Sequence, residues 1–340
     1  MSPTPSDLSG RCPAVVIVNY ATADMVMGQM PALLSELDGA DEAAVIVVDN
    51  RSPGDDLDRL TAFVARSGDD RLVLRASPRN GGFAYGNNEG FEAARALPFE
   101  PDAVLLLNPD AEVRPGALAA MYEVLDSHAS AGLVGARLEN EDGSVWDPAF
   151  RFPGARQGFA SATGFGALAR LWPTTAGPAE GPRRADWVGG AAVLIRWAAL
   201  EAMGEMDDGY FLYFEEVDYM RRAAALGWET WQTPHALVFH AEGGSTGLAA
   251  ARAARARMPA YWFRSWRRYH AKNHGAARAS AAAALVLLGT AIRVGHRTAR
   301  RRSADVPERF FADFFRYGVL GLIGEQGDDG TGHPRPEDAA

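Results

Sequence analysis

Short runs of consecutive apolar residues recur through the first third of the chain, separated by stretches with helical periodicity. The apolar runs, rich in Val, Ile and Leu, cover residues 14–20, 43–50, 71–76 and 102–108. Uninterrupted runs of this length are typical of strands buried on both faces of a sheet. Because helical patterns stand between them, at 25–39, 57–65 and 89–97, the order predicts a parallel α/β sheet with right-handed connections.

The pattern becomes less regular after residue 125. Residues 131–150 predict two strands joined by a turn, whereas 151–184 is rich in Gly, Pro and Ala and predicts mainly a loop. The remaining predicted elements are a strand at 191–195, a helix at 216–226 and a pair of strands within 229–240. Beyond Gly247 the chain is rich in Ala and Arg, which predicts helices.

Charge is distributed unevenly along the chain. The 340 residues carry a formal net charge of −9, yet no acidic residue lies between Glu242 and Asp305, where 13 of the 34 Lys and Arg residues stand. A basic segment beside an acidic remainder suggests a polyanionic partner surface. The longest apolar run there, 281–292, is shorter than the roughly 20 residues that cross a bilayer. The single cysteine, Cys12, excludes an intrachain disulfide and a cysteine-rich metal site, and the N-terminal residues lack the apolar core of a secretory signal.

Polar residues follow the apolar runs directly. Tyr20, Asp49, Asn80 and Asp110 each come just after a predicted strand. Ligands bind beyond the carboxyl ends of strands in such sheets, so these residues are candidates for a ligand site, although a single Asp there more often caps a turn. The segment "RNGGFAYGNNEG" (79–90) adds four glycines and three asparagines before a helix, where backbone N–H groups favour an anion.

Three acidic residues stand at the start of a predicted helix. Glu215, Glu216 and Asp218 follow the aromatic run 210–214. Acids are common at helix N-termini because of the helix dipole, but a carboxylate on an apolar wall has a raised proton affinity and can act as a general base. Asp218 can also pair with an arginine one turn further on. His240 ends a later predicted strand. At this position the sequence fits a structural role and a ligand-binding role equally well.

Six segments stand in the order found in one known family. They are "VIVNY" (16–20), "VVDNRS" (47–52), "NGGFAYGNNEG" (80–90), "LLLNPDA" (105–111), "GGAAVLIR" (189–196) and "YFEEVDYMRRAAALGW…HALVFHAEGGST" (213–246). Over residues 13–270 the chain resembles inverting glycosyltransferases of family 2, most of all the rhamnosyltransferase branch that builds cell-wall linkers and O-antigen. The resemblance implies the α/β GT-A (nucleotide-diphospho-sugar transferase) fold, a mixed, mostly parallel sheet flanked by helices, plus a C-terminal helical extension.

The activity implied by this resemblance is metal-dependent transfer of a hexose. The sugar that fits the branch is L-rhamnose from dTDP-rhamnose, moved to a hydroxyl of a glycan or of a polyprenyl-diphosphate-linked sugar in cell-wall or surface polysaccharide synthesis. A UDP-linked hexose or galactofuranose is the alternative donor. A non-catalytic nucleotide or nucleic-acid binding protein is the alternative of another class, and acids at the sheet edge disfavour it because they repel phosphates unless a metal stands between. A nucleotidyltransferase would carry a basic glycine-rich loop after the first strand, which "NYATADMVMGQ" is not.

Functional residues carry over from the family one by one. The implied donor-binding positions are Asn19, Tyr20, Asp49, Asn50, Arg79, Asn80, Gly82, Asn87, Asn108 and Asp110. The family's Asp-x-Asp metal motif stands here as Asn108-Pro109-Asp110, with Asn in place of the first acid. Asp110 is therefore the implied ligand of Mg²⁺ or Mn²⁺, and His240 is the second.

The catalytic pair of the family falls on Glu215 and Glu216, with Glu216 as the implied general base. A second Glu stands where the family commonly has Asp. The implied acceptor-binding positions are Trp187, Gly189, Gly190, Glu215, Asp218 and Ser245.

At the level of the chain we expect three regions between two disordered tails. These are a nucleotide-sugar binding half (13–125), an acceptor-binding and catalytic half (126–247), a basic helical extension (248–326) and tails at 1–12 and 327–340. The extension contains "YWFRSWRRYHAKNHG" (261–275), and we expect it to lie on an anionic membrane with its aromatic residues and alanines inward and its arginines at the headgroups. The expected location is the inner face of the cytoplasmic membrane, with peripheral contact, no nucleic-acid partner and room for a homo-oligomer.

Overall fold

A computed structural model describes residues 7–241, 256–303 and 305–322. Their contacts divide them into two compact units. The first, which we call the sheet unit, comprises residues 7–150, 177–208 and 216–241. The second, which we call the helical unit, comprises residues 151–176, 209–215, 256–303 and 305–322.

The elements follow in chain order. The strands are β1 (Pro13–Asn19), β2 (Ala44–Asp49), β3 (Leu72–Ala76), β4 (Ala103–Leu107), β5 (Ala111–Val113), β6 (Ala131–Glu139), β7 (Val145–Trp146), β8 (Ala149–Phe150), β9 (Arg183–Ala185), β10 (Trp187–Val188), β11 (Ala192–Arg196) and β12 (Glu229–His240). The helices are α1 (Ala23–Leu37), α2 (Asp56–Ser67), α3 (Gly82–Arg95), α4 (Ala117–Ser127), α5 (Ala155–Thr163), α6 (Gly166–Leu171), α7 (Trp197–Met203), α8 (Glu215–Ala225), α9 (Ala260–His274), α10 (Ala276–Ala299) and α11 (Phe310–Asp313), and a π-helical segment (Phe314–Val319) follows α11.

The main sheet has the strand order β3-β2-β1-β4-β11-β6-β12-β5, with β7 beside β6 and β9 beside β12. Strands β1 to β4 are parallel where they pair, β11 is antiparallel to both β4 and β6, and β12 is parallel to β6. This confirms the predicted mixed, mostly parallel sheet with flanking helices and a C-terminal helical region. The carboxyl ends of β1, β2, β4, β6 and β12 therefore lie along one edge, and the start of β11 joins them there.

The glycine-rich stretch at 79–90 is mostly helix, which corrects the expectation of a loop before a helix. Helix α3 already begins at Gly82. A Cβ built on Gly86 would lie 2.5 Å from Val18 Cγ1, and one built on Gly90 would clash with Val16. These two glycines let α3 pack directly on β1. Because the requirement comes from the facing strand, the sequence pattern alone suggests a glycine-rich loop instead.

Two further expectations are corrected in the irregular half. The predicted strand pair at 229–240 is one strand, β12, whose register against β6 shifts between Gln232 and Leu237. Pro234 lies in this gap, and because proline has no N–H it interrupts the ladder without ending the strand. The predicted loop at 151–184 contains α5, α6 and β9, and α5 owes its place to packing: a Cβ on Gly289 of α10 would lie 2.9 Å from that of Ala162.

Aromatic residues of α9 form the core of the helical unit. Phe263 and Trp266 pack with Phe314, Tyr317 and the alanines of α10. The expectation that the aromatic residues of 261–275 face a membrane is therefore wrong for these residues, because burial against one another removes their apolar surface from water inside the unit.

Helix α10 is longer than the apolar run that marked it in the sequence. Among the described residues it is long and apolar enough to cross a membrane by length and composition. The expectation that this segment is too short rested on residues 281–292 alone, whereas the helix continues for 24 residues.

Candidate functional site

The Asn-Pro-Asp segment turns sharply at the end of β4. The N–H of Asn108 donates to Ala191 O at 2.9 Å, and the N–H of Ala111 donates to Asn108 O at 3.1 Å, which closes the turn. Gln29 of α1 stabilises the turn, since its amide nitrogen donates to Asn108 O at 3.1 Å and to Pro109 O at 2.9 Å. Sequence reasoning missed Gln29, whose signal was a buried polar residue on the apolar face of α1.

Pairing of β5 with β12 brings His240 to Asp110. Ala111 of β5 lies opposite His240 of β12, and the N–H of Ala241 donates to Asp110 O at 3.1 Å. The Nε2 atom of His240 lies 3.4 Å from Asp110 Oδ1 and 3.5 Å from the amide nitrogen of Asn108. The Asp110 side chain is 1% exposed and that of His240 is 14% exposed. The strand ends thus bring the carboxylate of Asp110 and the amide of Asn108 together with the imidazole of His240, which lies far away in the sequence.

The spacing of this pair fits two ligands of one divalent ion. The 3.4 Å separation is longer than a good N–H···O hydrogen bond, whereas two ligands each about 2.1 Å from an octahedral ion lie about 3 Å apart. Carboxylate and imidazole together suit Mn²⁺ and, with more oxygen ligands, Mg²⁺. No group of three or more His, Cys, Asp or Glu side chains suited to a metal occurs among the described residues.

Glu216 stands at the start of α8, directly after a strained turn. Tyr213 and Phe214 have φ of 70° and 69°, a left-handed conformation that is costly for bulky residues and is concentrated at functional sites. The Oε2 atom of Glu216 is buried and accepts no hydrogen bond from the described residues. Burial raises the pKa of Glu216 to about 7, against the smaller opposing effect of the backbone N–H groups of Glu216 and Val217.

Gly190 links Glu216 to the turn of β4. A Cβ built on Gly190 would lie 3.8 Å from Cβ and Cγ of Glu216, and the next residue, Ala191, accepts the hydrogen bond from Asn108. The base candidate and the metal-ligand candidates are therefore connected by two residues along one sheet edge.

The other acids of α8 differ in their surroundings. Glu215 is buried, 4% exposed. Asp218 is also buried, and its carboxylate lies 3.9 Å from Nη2 of Arg222. The Nη1 atom of the same arginine donates to the carbonyl oxygens of Met203 and Glu205. That ion pair is the arrangement expected for a structural role, although Asp218 remains a predicted acceptor residue.

Trp187 belongs to an aromatic group that sequence reasoning saw only in part. Its ring stacks on Phe150 with centroids 4.3 Å apart, and Trp146 meets Phe150 edge-on at 6.3 Å. Trp146 is 37% exposed, so the group has an open side. Gly189 follows and donates its N–H to Pro148 O at 2.9 Å. Phe150 and Trp146 could not be found from the sequence, because only the pairing of β8 with β10 places them beside Trp187.

The donor half of the predicted site is a buried polar network at the ends of β1 and β2. The side-chain amide of Asn19 donates to Asp49 Oδ1 at 2.9 Å and to Ser52 Oγ at 3.0 Å, and also reaches Asp56 at 3.2 Å. Asp49 itself is 2% exposed, and its second oxygen accepts the N–H of Ser52. Ser52 and Asp56 are network members that the sequence did not single out.

The N-terminus of α3 is tied to this network. The amide of Asn50 donates to Asn80 Oδ1 at 3.1 Å and to Gly82 O at 3.0 Å. Arg79 lies over the ring of Tyr85, 4.4 Å from its centroid. Asn87 is fully buried, and its Oδ1 accepts no hydrogen bond from the described residues.

Tyr20 lies at the same edge, one residue after β1. Ser245, the remaining predicted acceptor residue, lies outside the described residues.

Comparison with solved structures supports the fold. The chain aligns over 95% of its length with a mannosyltransferase from Pyrobaculum calidifontis in complex with GDP-Man and Mn²⁺, with a TM-score of 0.55, 14% identity and 84% of that chain covered. It aligns over 93% of its length with GalNAc-T7 bound to UDP, GalNAc and Mn²⁺, with a TM-score of 0.50, 13% identity and 58% of that chain covered. At these identities the likeness concerns the fold, which is GT-A.

Curated relatives are all glycosyltransferases. An N-acetylglucosaminyl-diphospho-decaprenol L-rhamnosyltransferase of Mycobacterium tuberculosis is 32% identical over 160 residues, which is 44% of this chain and 50% of that protein. The low-salt glycan biosynthesis hexosyltransferase Agl10 of Haloferax volcanii is 25% identical over 213 residues, 62% of this chain and 61% of that protein. The matches thus span about half to three fifths of these relatives. The family described as "Glycosyltransferase like family 2" matches residues 11–258, and the chain therefore belongs to glycosyltransferase family 2.

Proposed function

We propose that the protein transfers a hexose, with inversion, from a nucleotide-diphospho-sugar to a hydroxyl group of a lipid-linked sugar. One observation carries this proposal. The Asp110–His240 pair and Glu216 lie along one sheet edge, connected through Asn108, Ala191 and Gly190. An ion site for a diphosphate beside a carboxylate of raised pKa is the minimum equipment for glycosyl transfer in one displacement.

The donor nucleotide is assigned to the ends of β1 and β2. Asn19 donates to Asp49 and accepts the backbone N–H of Asn50, so these three residues form a hydrogen-bonded base for the site. Tyr20 and Asn80 follow β1 and β3 beside it. We infer that backbone and side-chain groups of Tyr20 and Asn80 read the nucleobase and ribose, while the buried network fixes their positions. Arg79 is assigned to the diphosphate because it is the cation nearest to the N-terminus of α3 in sequence.

The diphosphate is assigned to the turn of β4. Asp110 and His240 would hold Mg²⁺ or Mn²⁺ there, and a bound ion would stabilise the negative charge that develops on the leaving diphosphate. Asn108 is placed to donate its amide to a donor oxygen. Gln29 keeps the turn in position through its two carbonyl contacts.

Glu216 is assigned the proton. Its carboxylate takes the proton of the acceptor hydroxyl as the hydroxyl oxygen bonds to the anomeric carbon, and the bond from that carbon to the diphosphate oxygen breaks with its electron pair. A single attack from the opposite face inverts the anomeric centre. Trp187, with Phe150 and Trp146 behind it, offers a flat apolar surface for the acceptor sugar.

The sugar and the acceptor are taken from the most informative relative. Its name specifies L-rhamnose as the sugar and a diphospho-decaprenol-linked N-acetylglucosamine as the acceptor. We propose dTDP-rhamnose as donor and a polyprenyl-diphosphate sugar as acceptor, with the enzyme on the inner face of the cytoplasmic membrane in cell-wall or surface polysaccharide synthesis. The similarity to a hexosyltransferase leaves another hexose as the competing sugar, and a UDP-linked hexose or galactofuranose is the competing donor that we propose to test.

A panel of nucleotide-sugars tests the donor. We expect dTDP-rhamnose with Mn²⁺ or Mg²⁺ to raise the melting temperature more than UDP-glucose, UDP-galactofuranose or GDP-mannose does. Product from a polyprenyl-diphosphate-GlcNAc acceptor, analysed by mass spectrometry and by NMR of the anomeric proton, then tests transfer and inversion. A larger shift with a UDP-sugar would reassign the donor, and a retained anomeric configuration would reject the one-displacement mechanism.

Asp110→Ala tests the metal site. We expect the variant to lose the metal-dependent part of donor binding, measured by calorimetry with and without EDTA, because it removes the carboxylate ligand. Glu112→Ala is the matched control, because Glu112 is a partly exposed acid two residues after Asp110. Equal metal dependence in wild type and Asp110→Ala would overturn the assignment.

A further inference from the structure

The outward face of α10 is apolar over its central turns, from Ala281 to Ile292. Between Ala279 and Ala299 the exposed residues are Ala281, Ala284, Leu285, Leu288, Ala291, Ile292, Gly295, Thr298 and Ala299. None is charged, and Leu288 is 52% exposed. A helix on the surface of a soluble unit carries polar residues on its outer face, so this helix has apolar faces on both sides.

The inward face fixes the orientation of the helix. Its buried residues are small: Ala279, Ala282, Ala283, Gly289 and Thr290. A Cβ on Gly289 would lie 2.9 Å from Phe159 O of α5, and one on Gly318 of the π-helical segment would lie 3.0 Å from Ala283 Cβ. Contacts this close require small residues, so α10 cannot rotate Leu285 and Leu288 inward without losing them.

The segment after α10 adds further exposed apolar side chains. Phe311 and Phe315, one turn apart, are 41% and 50% exposed, and Leu320 and Leu322 are about equally open. We group these side chains with the outer face of α10 and call the set the apolar surface of the helical unit.

Cations stand at both ends of α10. Arg278 is exposed at its start, and Arg300, Arg301 and Arg302 are exposed just after its end. Arg309 and Arg316 are exposed in the following segment, where the acids are the exposed Asp305 and Glu308 and the buried Asp313, which is paired with Arg257. An apolar face bounded by arginines is the pattern of a helix lying in the headgroup region of an anionic bilayer.

We propose that the apolar surface of the helical unit docks on an anionic lipid bilayer, with α10 lying along the interface. A spanning orientation is disfavoured, because one face of α10 is covered by α5, α9 and the π-helical segment. A protein partner is disfavoured because the outer face of α10 carries no Trp or Tyr that would anchor one, whereas the arginines at its ends match anionic headgroups. This inference rests on the proposed function only for its purpose: docking would bring the enzyme to a lipid-linked acceptor.

Vesicle flotation tests the docking. The full chain is mixed with vesicles of phosphatidylcholine alone and with vesicles containing phosphatidylglycerol, at low and high salt. We expect binding to the anionic vesicles that weakens at high salt. The double variant Leu285→Gln, Leu288→Gln should bind at least about tenfold more weakly, because Gln has a similar size and helix propensity but removes the apolar contact.

Leu226→Gln is the matched control, since Leu226 is also 52% exposed but lies at the end of α8 in the sheet unit. The double variant Arg301→Gln, Arg302→Gln should weaken binding to anionic vesicles but not to vesicles of phosphatidylcholine alone. Arg66→Gln on α2 should leave binding to both kinds of vesicle unchanged. Equal binding of wild type and the double Gln variant would overturn the proposal, and so would absence of vesicle binding. Binding that resists both high salt and alkaline carbonate would replace it with a spanning helix.

Donor turnover in water separates the two proposals. The double Gln variant should hydrolyse the nucleotide-sugar, or transfer to a short water-soluble acceptor, as wild type does. If the double Gln variant loses vesicle binding but keeps this turnover, the substitutions affect docking alone. If the wild type binds vesicles but has no turnover, the proposed function is rejected and the docking proposal stands.

Discussion

Glu216 has to ionise in surroundings that oppose its charge. Burial of its carboxylate raises its pKa to about 7, and its Oε2 atom receives no hydrogen bond from the described residues. An ordinary surface Glu would be ionised at neutral pH but would be too weak a base to remove a proton efficiently. A carboxylate with a pKa near the working pH has both a useful ionised fraction and a higher proton affinity.

Replacing Glu216 tests this role most directly. Glu216→Gln keeps the size of the side chain but cannot accept the proton, so transfer should fall by at least about 100-fold. The dissociation constant of the donor, measured by calorimetry, should change little because the nucleotide is assigned elsewhere. Glu205→Gln, an exposed neighbour in sequence, is the control and should keep full activity. Near-normal turnover of Glu216→Gln would place the base elsewhere.

The raised pKa also predicts how stability changes with pH. Between the ordinary Glu value of 4.5 and about 7 the folded protein keeps a proton on Glu216 that the unfolded chain has lost. Folding is therefore favoured less as pH rises through this window, and the contribution is constant above it. The difference in unfolding free energy between Glu216→Gln and wild type should grow in favour of the variant from pH 5 to pH 8, as measured by urea unfolding. An unchanged difference would mean that the carboxylate is not desolvated.

At the residue scale, the sequence could place side chains that follow strands but not those that support them. Asp110 and His240 both end or follow a strand, so a parallel sheet brings them to one edge. Gln29, Phe150 and Trp146 reach the site through contacts between distant segments, which no local pattern encodes.

At the scale of elements, close packing of α3 on β1 shapes the sheet edge to which the donor is assigned. Gly86 and Gly90 allow the helix to approach Val18 and Val16 within distances that no Cβ permits. The approach positions the start of α3, whose Gly82 carbonyl accepts a hydrogen bond from Asn50 at the end of β2. Buried strands were predictable because apolar β-branched runs have one favourable environment, whereas helix-forming glycines were not, because their reason lies in the facing strand.

Alanine substitution of one glycine in α3 and of one in α1 tests this packing. Gly86→Ala should destabilise the fold by about 1–3 kcal/mol, since its Cβ would lie 2.5 Å from the stiff side chain of Val18. Gly28→Ala on α1 meets nothing within 4 Å and should instead stabilise by up to about 1 kcal/mol through helix propensity. Chemical denaturation measures both. Equal changes in unfolding free energy for the two substitutions would show that helix propensity, not contact with β1, determines the effect of Gly86→Ala.

At the scale of the whole molecule, the chain changes unit beside its candidate base. Segment 209–215 groups with the helical unit, and Glu216 begins the next part of the sheet unit. Within the helical unit, α9 holds this segment: Ser265 Oγ donates to Leu212 O at 3.0 Å, and Phe214 meets Trp262 edge-on at 6.2 Å. The sequence predicted a helical extension that follows the catalytic half, but it could not predict that the extension packs with 151–176 and 209–215, because these contacts join residues far apart in the chain.

Strain in the turn before Glu216 has to be balanced by this packing. Two consecutive bulky residues in left-handed conformation cost on the order of 1–3 kcal/mol each, and the aromatic contacts of Phe214 and Tyr213 with α9 are the available compensation. Trp262→Leu removes the edge-on partner of Phe214 without touching any residue assigned to substrate.

We expect Trp262→Leu to lower turnover, leave donor affinity unchanged and shift the midpoint of the pH–kcat/KM profile below about 7, because a relaxed turn admits water to Glu216 and lowers its pKa. Phe315→Leu is the matched control, an aromatic-to-leucine change in the same unit at a half-exposed position. A water-soluble acceptor keeps membrane docking out of the measurement. If both variants lose turnover equally with an unmoved pH midpoint, general destabilisation explains the loss. If only Trp262→Leu moves the midpoint, the conformation of the strained turn that precedes Glu216 in the chain sets the proton affinity of the base.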